Sequence, residues 1–451
     1  MVQPITEDQI PLQIIKLLKD SKKKEFQELL TELQPYDIAR IYEGLPEKHH
    51  TRFLLFLSSE QIAELIQELE NEQQLKVLTK LGIEKSGQVM DLMDNDDLAS
   101  LLQDLSPDKI EELLSGMKKE ESNIVLNLMN YEPETAGRLM TNRFVWIPQH
   151  YTVRETVNKL KEFAEFSETI NYLYVIDNGK KLVGVVSYRD IILAEENEKI
   201  KDIMYNRVVS VTVDTDQEEV ARFIERYDFL AIPVVEDNVL VGIVTVDDII
   251  DVVIREANED IEKLSASGKA IDFDTKAVVA AYRRLPWLIL LLFIGVISGT
   301  IISSFEDTLA QVVALAFFMP MIAGMTGNTG TQSLAVVVRG LISRDINKPV
   351  VLKLIFREFK VSLLIGLTCA ILIFIIAVVW RQDAILGIVV GSSLFITLII
   401  GTMAGTVIPL LLYKLNIDPA VASGPLITTL NDILSLLIYF GIATMFISKL
   451  M

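Results

Sequence analysis

The stretch LVGVVSYRDII at residues 182–192 returns as LVGIVTVDDII at residues 240–250. In each copy a β-branched apolar run, typical of a strand, leads into Ser/Thr-x-x-Asp, a sequence that caps the start of a helix. A further apolar run precedes each copy across a short turn, YLYVID at residues 172–177 and AIPVVE at residues 231–236. The sequence therefore predicts two copies of one α/β module.

This doubled pattern resembles the cystathionine-β-synthase-type (CBS) module, which occurs as intramolecular pairs that bind adenine nucleotides or metal ions. The resemblance implies ATP as a regulatory ligand, with Arg189 and Asp190 as binding residues and Phe229 as a ring that stacks on the base. Because the chain has no Walker-type phosphate loop, we expect binding without hydrolysis.

Upstream of this pair, large apolar residues recur every 12 positions. They are Leu33, Leu45, Leu57, Leu69, Leu81, Met93, Leu105, Met117 and Met129. Twelve residues provide one short helix and a turn, and cap sequences such as Gln34-Pro35 and Ser106-Pro107 open the stretches between them. The spacing favours an α-solenoid of short helices over an ordinary helical bundle.

Downstream of the pair the chain becomes apolar. Five runs, at about 286–304, 309–324, 354–380, 385–412 and 425–448, are long enough, or nearly so, to cross about 30 Å of hydrocarbon as helices. The loops before the first run, after the second and after the fourth carry Lys and Arg. The positive-inside rule then places the N-terminus in the cytoplasm and the C-terminus outside, and the polar first residues lack a signal-peptide core.

We therefore predict a multidomain chain. It comprises an acidic α-solenoid N-domain at residues 1–132, α/β CBS domains at 133–197 and 198–253, a connecting helix at 254–273, and an all-α transmembrane bundle of five helices at 274–451. The first 273 residues hold 53 acidic and 30 basic side chains, the remainder eight and 12. Such an acidic part repels nucleic acid and attracts cations, although acidity also serves solubility.

Asp432 is interpreted as the one ionisable residue well inside any of the five runs. A carboxylate at that depth is costly unless it is compensated, and its natural partner is a cation in a wet pathway. Gly424, Thr428 and Asp432 follow at i, i+4 and i+8 and so share one helix stripe. We interpret the stripe as an ion-binding pore face; a protonated or hydrogen-bonded Asp432 with a packing role is the alternative.

A second polar segment, GMTGNTGTQS, occupies residues 324–333. Its carbonyls, hydroxyls and amides, including those of Asn328 and Thr329, are neutral oxygen ligands suited to a hydrated hard cation. Two expectations are open for its structure. It forms irregular backbone that lines a cavity, or a tight interhelical turn that uses small residues for packing.

Several motifs together resemble the MgtE-type Mg²⁺ transporters over nearly the whole chain. They are ETAGRLM at residues 134–140, DTDQEEVA at 214–221, GIVTVDD at 242–248, GNTG at 327–330, and DPA at 418–420 with Asp432. The resemblance implies a homodimeric, Mg²⁺-selective channel whose pore runs between two subunits, with the Asp432 pair binding hydrated Mg²⁺. The pore helix departs from the family pattern at Gly424, where Asn is frequent, and at Thr428, where a small apolar residue is frequent.

The resemblance also implies feedback, in which the connecting helix blocks the pore when Mg²⁺ is abundant. Carboxylates that repel one another are bridged by Mg²⁺, which favours a closed arrangement. The candidate regulatory ligands are Asp91, Asp94, Asp96, Asp97, Asp216, Glu218, Asp228, Asp247, Asp248, Asp251, Glu256, Glu259 and Asp260. A solvated surface acid is an equally good interpretation of each one taken singly.

The expected function is Mg²⁺ uptake across the plasma membrane by a homodimer embedded in the lipid bilayer, without enzymatic activity. Transport of Co²⁺, Zn²⁺ or Ni²⁺ is an alternative, but these metals favour imidazole or thiolate. The three His residues all precede residue 274, and Cys369 is the single cysteine. Two further hypotheses stay open, namely a proton- or Na⁺-coupled carrier and a membrane nucleotide sensor without transport.

Overall fold

The computed structural model describes residues 10–103, 105–163, 167, 169–265, 271, 275–342, 348–415 and 417–450. The chain divides into two units, Met1–Ile254 and Arg255–Met451. The first holds the short helices and the two α/β modules, and the second holds the long apolar helices.

Ten short helices open the described part of the first unit. They are α1 Ile10–Lys19, α2 Lys23–Leu30, α3 Pro35–Gly44, α4 His50–Phe56, α5 Ser59–Gln67, α6 Asn71–Leu81, α7 Ile83–Met90, α8 Asn95–Leu102, α9 Pro107–Leu114 and α10 Lys119–Met129. The 12-residue repeat falls mainly at their turns, where Leu45, Leu57 and Met93 are buried in the shared core. The next helix begins soon afterwards, as at Ser58, which accepts a hydrogen bond from the Gln61 backbone N–H. The predicted solenoid of short helices is confirmed.

Two three-stranded sheets follow, one in each α/β module. The first module comprises α11 Ala136–Leu139, β1 Phe144–Pro148, α12 Val153–Phe163, β2 Thr169–Ile176, β3 Leu182–Ser187 and α13 Tyr188–Leu193. The second comprises α14 Ile200–Ile203, β4 Val211–Thr212, α15 Gln217–Tyr227, β5 Ala231–Glu236, β6 Val239–Thr245 and α16 Val246–Leu264. In each sheet the middle strand pairs with a parallel and an antiparallel neighbour. The doubled module is confirmed, and the sequence pattern missed only the parallel strands β1 and β4.

The two modules interlock through equivalent residues. Met140, which directly follows α11 in the first module, packs on Gly242 of β6, and Met204, which directly follows α14 in the second, packs on Gly184 of β3. Both glycines are needed because a Cβ at either position would overlap the methionine side chain. The repeated sequence therefore encodes a pair of domains that share their packing.

The connecting helix is continuous with the last helix of the second module. Helix α16 runs from Val246 to Leu264 without interruption, whereas the sequence predicted a separate connecting element from residue 254. Residues 266–270 and 272–273 of that predicted element lie outside the described residues.

The second unit consists of long helices. They are α17 Ala277–Ser304, α19 Ala314–Ile342, α20 Lys348–Arg381, α21 Ala384–Lys414 and α22 Gly424–Met445, with short helices α18 Glu306–Gln311 and α23 Ile447–Leu450. In the described part of the chain α17, α20, α21 and α22 are long and apolar enough to cross a membrane. Helix α19 has comparable length, but its polar segment makes it less apolar. Helix α21 lies against α19, α20 and α22 and contributes many of the buried residues.

The polar segment 324–333 corrects an expectation. It is neither irregular backbone nor a turn, because α19 continues through it to Ile342. Its glycines permit close helix contact instead: a Cβ on Gly327 would lie 2.8 Å from Thr428 Cγ2, and Gly330 meets the backbone of Gly405. Small residues at a helix interface let backbones approach closely in a membrane, so packing explains the glycines. The predicted second run, 309–324, therefore ends too early.

Candidate ion-binding site

Asp432 lies in the middle of α22, a helix that begins at Gly424 with Pro425 in its first turn. Its side chain is half-buried. No described residue donates a hydrogen bond to its carboxylate or forms an ion pair with it. The carboxylate is thus neither fixed to a neighbouring side chain nor fully enclosed, which keeps it available to a cation.

Gly424 and Thr428 continue the stripe below Asp432 and follow the boundary with α19. The Thr428 side chain packs on Gly327, and the Gly424 backbone lies near Thr331. Both residues are partly exposed. The predicted i, i+4, i+8 stripe therefore forms one continuous edge of α22, with its carboxylate at the upper end.

Asn328 and Thr329 differ in placement although they are adjacent. The Asn328 side chain is on the exposed face of α19, which it shares with Gly324, Met325 and Gln332. Thr329 is buried, and its hydroxyl donates to the carbonyls of Met325 and Thr326 in its own helix. The structure therefore brings Asn328, but not Thr329, to an accessible polar face.

Glu358 is a buried acid in the third apolar run, so the expectation that Asp432 is the one ionisable residue well inside these runs is wrong. It is 5% exposed on α20, accepts a hydrogen bond from the Ser333 hydroxyl on α19, and pairs with Arg357. In sequence it lies between Arg357 and Lys360 near the start of that apolar run. Its burial could not be predicted from the local sequence, because its hydrogen-bond partner Ser333 is distant in the chain.

Four predicted regulatory acids gather in the first unit. Asp97 is close enough to Asp94, Asp247 and Asp251 for their negative charges to act on its carboxylate. Desolvation by the surrounding protein is the main cause of a raised pKa at Asp97, although its side chain reaches the surface, and the three charges add to it. Negative potential is thereby concentrated where α8 faces the start of α16.

Two members of this acidic group, Asp94 and Asp97, already have hydrogen-bond or ion-pair partners. Asp94 pairs with Arg143 at 3.0 Å and accepts a hydrogen bond from Gln67, which also donates to Asp97. Within the described residues, no three His, Cys, Asp or Glu side chains are arranged so as to hold a metal ion. A bridging ion would therefore need side chains to rearrange.

Several other predicted metal ligands have local structural partners. Asp91 accepts the Lys118 backbone N–H, Asp216 accepts that of Glu218 at the start of α15, and Asp248 accepts the Thr245 hydroxyl. Asp228 ends α15 in a left-handed conformation with φ 52°. Asp96 is buried in α8. Helix capping thus accounts for part of the acidic pattern.

The end of α16 lies within the second unit and contacts other residues of that unit. Lys263 pairs with Asp418 at 2.6 Å and with Glu259 one turn back. Burial would lower the pKa of Lys263, but these hydrogen bonds and charges outweigh it and raise the pKa. Burial, together with the charge of Asp418, raises the pKa of Asp260. Leu264 packs beside Ile427 in α22, so the connecting helix ends at the base of the helix that carries Asp432.

A cavity of 470 Å³ opens in the α/β modules. It is lined by Asn171, Tyr172, Ser187, Tyr188, Arg189, Ile192, Leu193 and Leu230. Of the predicted nucleotide ligands, Arg189 lines this cavity, and Asp190 caps α13 by accepting the Ser187 hydroxyl at 2.6 Å. Phe229 stacks on Tyr227 outside the lining.

Family models match three parts of the chain. The MgtE model, described as a divalent cation transporter, matches residues 319–442. The MgtE intracellular N domain matches residues 33–134, and the CBS domain matches residues 136–197 and 200–255.

Full-length relatives and solved structures agree with these matches. The chain is 64% identical to the magnesium transporter MgtE of Bacillus subtilis, covering 100% of both, and 42% identical to that of Enterococcus faecalis, covering 98% and 97%. The soluble part of a magnesium transporter matches 56% of this chain and 100% of its own at 37% identity and a TM-score of 0.53. The cytosolic domain of the Mg²⁺ channel MgtE in complex with ATP matches 54% and 99% at 34% identity and 0.51.

Proposed function

Because the chain belongs to the MgtE family of divalent cation transporters, we propose that it carries Mg²⁺ through a pathway in which Asp432 holds the hydrated ion. The carboxylate of Asp432, which is half-buried and has no ion-pair partner among the described residues, carries this proposal. Mg²⁺ gives up its inner waters reluctantly and is commonly bound through one or two carboxylates. One carboxylate from each of two subunits therefore suits an ion that passes with its water.

The ligand chemistry supports a hard cation. Residues 274–451 contain no His, and their one cysteine, Cys369, lies in α20 rather than beside Asp432. Metals such as Zn²⁺ and Co²⁺ favour imidazole and thiolate ligands, whereas Asp432, Thr428 and Asn328 offer oxygen.

The homodimer is proposed from faces that a single chain leaves uncovered. Asn328 and Gln332 expose amides along α19, which is costly against lipid, and α17 contributes no buried residue among its 28. A second copy would cover such surfaces and place two Asp432 side chains along one pathway. The proposed topology has five spans with the N-terminus cytoplasmic and the C-terminus outside, in the plasma membrane. The proposed domain boundaries are those stated above, with the connecting helix beginning as the C-terminal part of α16.

Closure by cytoplasmic Mg²⁺ is proposed from the acids of the first unit and of α16. Mg²⁺ that neutralises the acidic group around Asp97 would favour a compact arrangement of these acids. Helix α16 links this group to the second unit, because it runs from Asp247 to Lys263 as one helix. An ion with higher affinity for the closed arrangement selects it. ATP is proposed as a regulatory ligand of the cavity that Arg189 lines.

Mg²⁺ uptake into proteoliposomes tests the ion site. Asp432→Asn keeps the side-chain volume but removes the charge, and we expect uptake to fall about 100-fold, the scale of losing a charged contact of about 3 kcal/mol. Asp307→Asn, an exposed acid next to α17, is the control with the same charge change. Native uptake by Asp432→Asn would refute the proposal.

A further inference from the structure

Asn431 precedes the proposed ion-binding residue and is completely buried. It belongs to a buried stripe of α22, with Ile427, Ser435 and Tyr439 at four-residue spacing. Neighbouring positions on a helix are turned by about 100°. Whatever fixes the direction of Asn431 therefore also fixes the direction of Asp432.

The Asn431 amide binds two other helices at once. Its Nδ2 donates to the Thr326 carbonyl of α19 at 3.3 Å and to the Gly401 carbonyl of α21 at 3.4 Å. Both acceptors are backbone atoms, and they lie in different helices. The amide thus joins α22 to two helices at one point.

The surrounding glycines make room for this amide. A Cβ on Gly330 of α19 would overlap Asn431 Nδ2, and a Cβ on Gly401 would lie 3.4 Å from it. Asn431 consequently occupies a slot that is fitted to its size. Rotation of α22 would withdraw the amide from both carbonyls.

We propose that Asn431 is a positioning residue that fixes the rotation of α22 and so aims the Asp432 carboxylate into the ion pathway. The proposal rests on the proposed role of Asp432. It assigns a specific task to an uncharged neighbour that does not itself contact the ion.

Tyr439 provides a matched control on the same stripe. Its hydroxyl donates to the Leu315 carbonyl of α19 at 2.8 Å, so Tyr439→Phe also removes one buried hydrogen bond between α22 and α19. It does so two turns from Asp432. If Asn431 contributed only general stability, Asn431→Leu and Tyr439→Phe would have the same kind of effect.

The direct test measures the direction of position 432. In a Cys369→Ala background, which removes the chain's single cysteine, Asp432→Cys is treated with a charged, membrane-impermeant thiol reagent. We expect Asn431→Leu to slow this modification about tenfold, because a thiol turned away from water is protonated and unreactive. Tyr439→Phe should leave the rate unchanged.

Mg²⁺ uptake with Asp432 intact gives the second measurement. Asn431→Leu should raise KM about tenfold or more, as expected for a displaced binding group, whereas lost stability alone lowers the maximal rate by reducing the amount of active protein. Should Asn431→Leu not be recovered from membranes, Asn431→Ser replaces it, since a Ser hydroxyl bonds back to its own helix.

An unchanged modification rate and KM in the Asn431 variant, or equal changes in Tyr439→Phe, would overturn the proposal. The two hypotheses fail separately. Native uptake by Asp432→Asn refutes the ion site, while the modification rate still reports whether Asn431 sets the direction of position 432.

Discussion

Asp97 lies in the first turn of α8 and is one of the acids proposed to respond to Mg²⁺. Desolvation and the neighbouring charges of Asp94, Asp251 and Asp247 raise its pKa. A raised folded-state pKa means that protonation stabilises the fold. That stability is fully present below the ordinary aspartate pKa and is lost as the pH rises through the raised value. In its charged form Asp97 therefore opposes the close approach of Asp94, Asp247 and Asp251.

We predict that Asp97→Asn slows amide hydrogen exchange in α8 at neutral pH without Mg²⁺, and reduces the further slowing that Mg²⁺ produces. The difference from the native chain should shrink as the pH falls and native Asp97 becomes protonated. Asp108→Asn, an exposed acid at the start of α9, serves as the control. Faster exchange in Asp97→Asn would show that the carboxylate stabilises α8 instead.

At the scale of elements, the contact between α19 and α21 depends on glycine. A Cβ on Gly405 would overlap the backbone carbonyl of Gly330, whereas Gly340 of α19 has open space around its Cβ position. We predict that Gly405→Ala destabilises the second unit by about 1–3 kcal/mol, the usual cost of overpacking. Gly340→Ala should be neutral or slightly stabilising, because Ala favours a helix. Thermal unfolding of the detergent-solubilised protein measures both, and equal midpoints would contradict the assigned contact.

The sequence predicted elements best where the same residues define both local structure and burial. Leu45 and Leu57 end helices and also enter the core, so their spacing revealed the solenoid. The repeated Gly-Val-Val and Gly-Ile-Val strands revealed the two modules for the same reason. The short strand Val211–Thr212 was missed because two residues carry too little periodicity.

The site was predicted less completely, because its remaining features depend on contacts between distant helices. Nothing local distinguishes the glycines of a turn from those of a tight helix crossing, so segment 324–333 was misassigned. Asn328 and Thr329 are adjacent polar residues, and only the packing of α19 decides that Asn328 is exposed and Thr329 is buried. Glu358 on α20 accepts a hydrogen bond from Ser333 on α19, a contact between helices that its local sequence does not reveal. Asp432 stays a prediction, and the sequence singles it out because it lies far from both ends of its apolar run, whereas Glu358 lies near the start of its run.

At the scale of the whole molecule, α16 continues from the second α/β module into the unit whose helices carry the proposed ion site. The first unit carries the acids that we propose respond to Mg²⁺, and Lys263 at the other end of α16 pairs with Glu259 and Asp418. Lys263 thus places a built-in positive charge where two carboxylates would otherwise repel each other. These ion pairs hold the end of α16 beside the start of α22.

We predict that Lys263→Met weakens closure of the channel. Without the ammonium group, Glu259 and Asp418 repel each other, so the end of α16 is released at Mg²⁺ concentrations that keep the native chain closed. The Lys263–Asp418 ion pair, whose side chains are about one-third exposed, contributes about 1 kcal/mol to holding the end of α16 in place. This free energy corresponds to about a fivefold change in the closing equilibrium. The Mg²⁺ concentration that halves uptake should therefore rise about fivefold.

Lys276→Met removes the same charge from an exposed position before α17 and should leave that concentration unchanged. A lower half-closing concentration in Lys263→Met would mean instead that Lys263 competes with Mg²⁺ for Glu259 and Asp418.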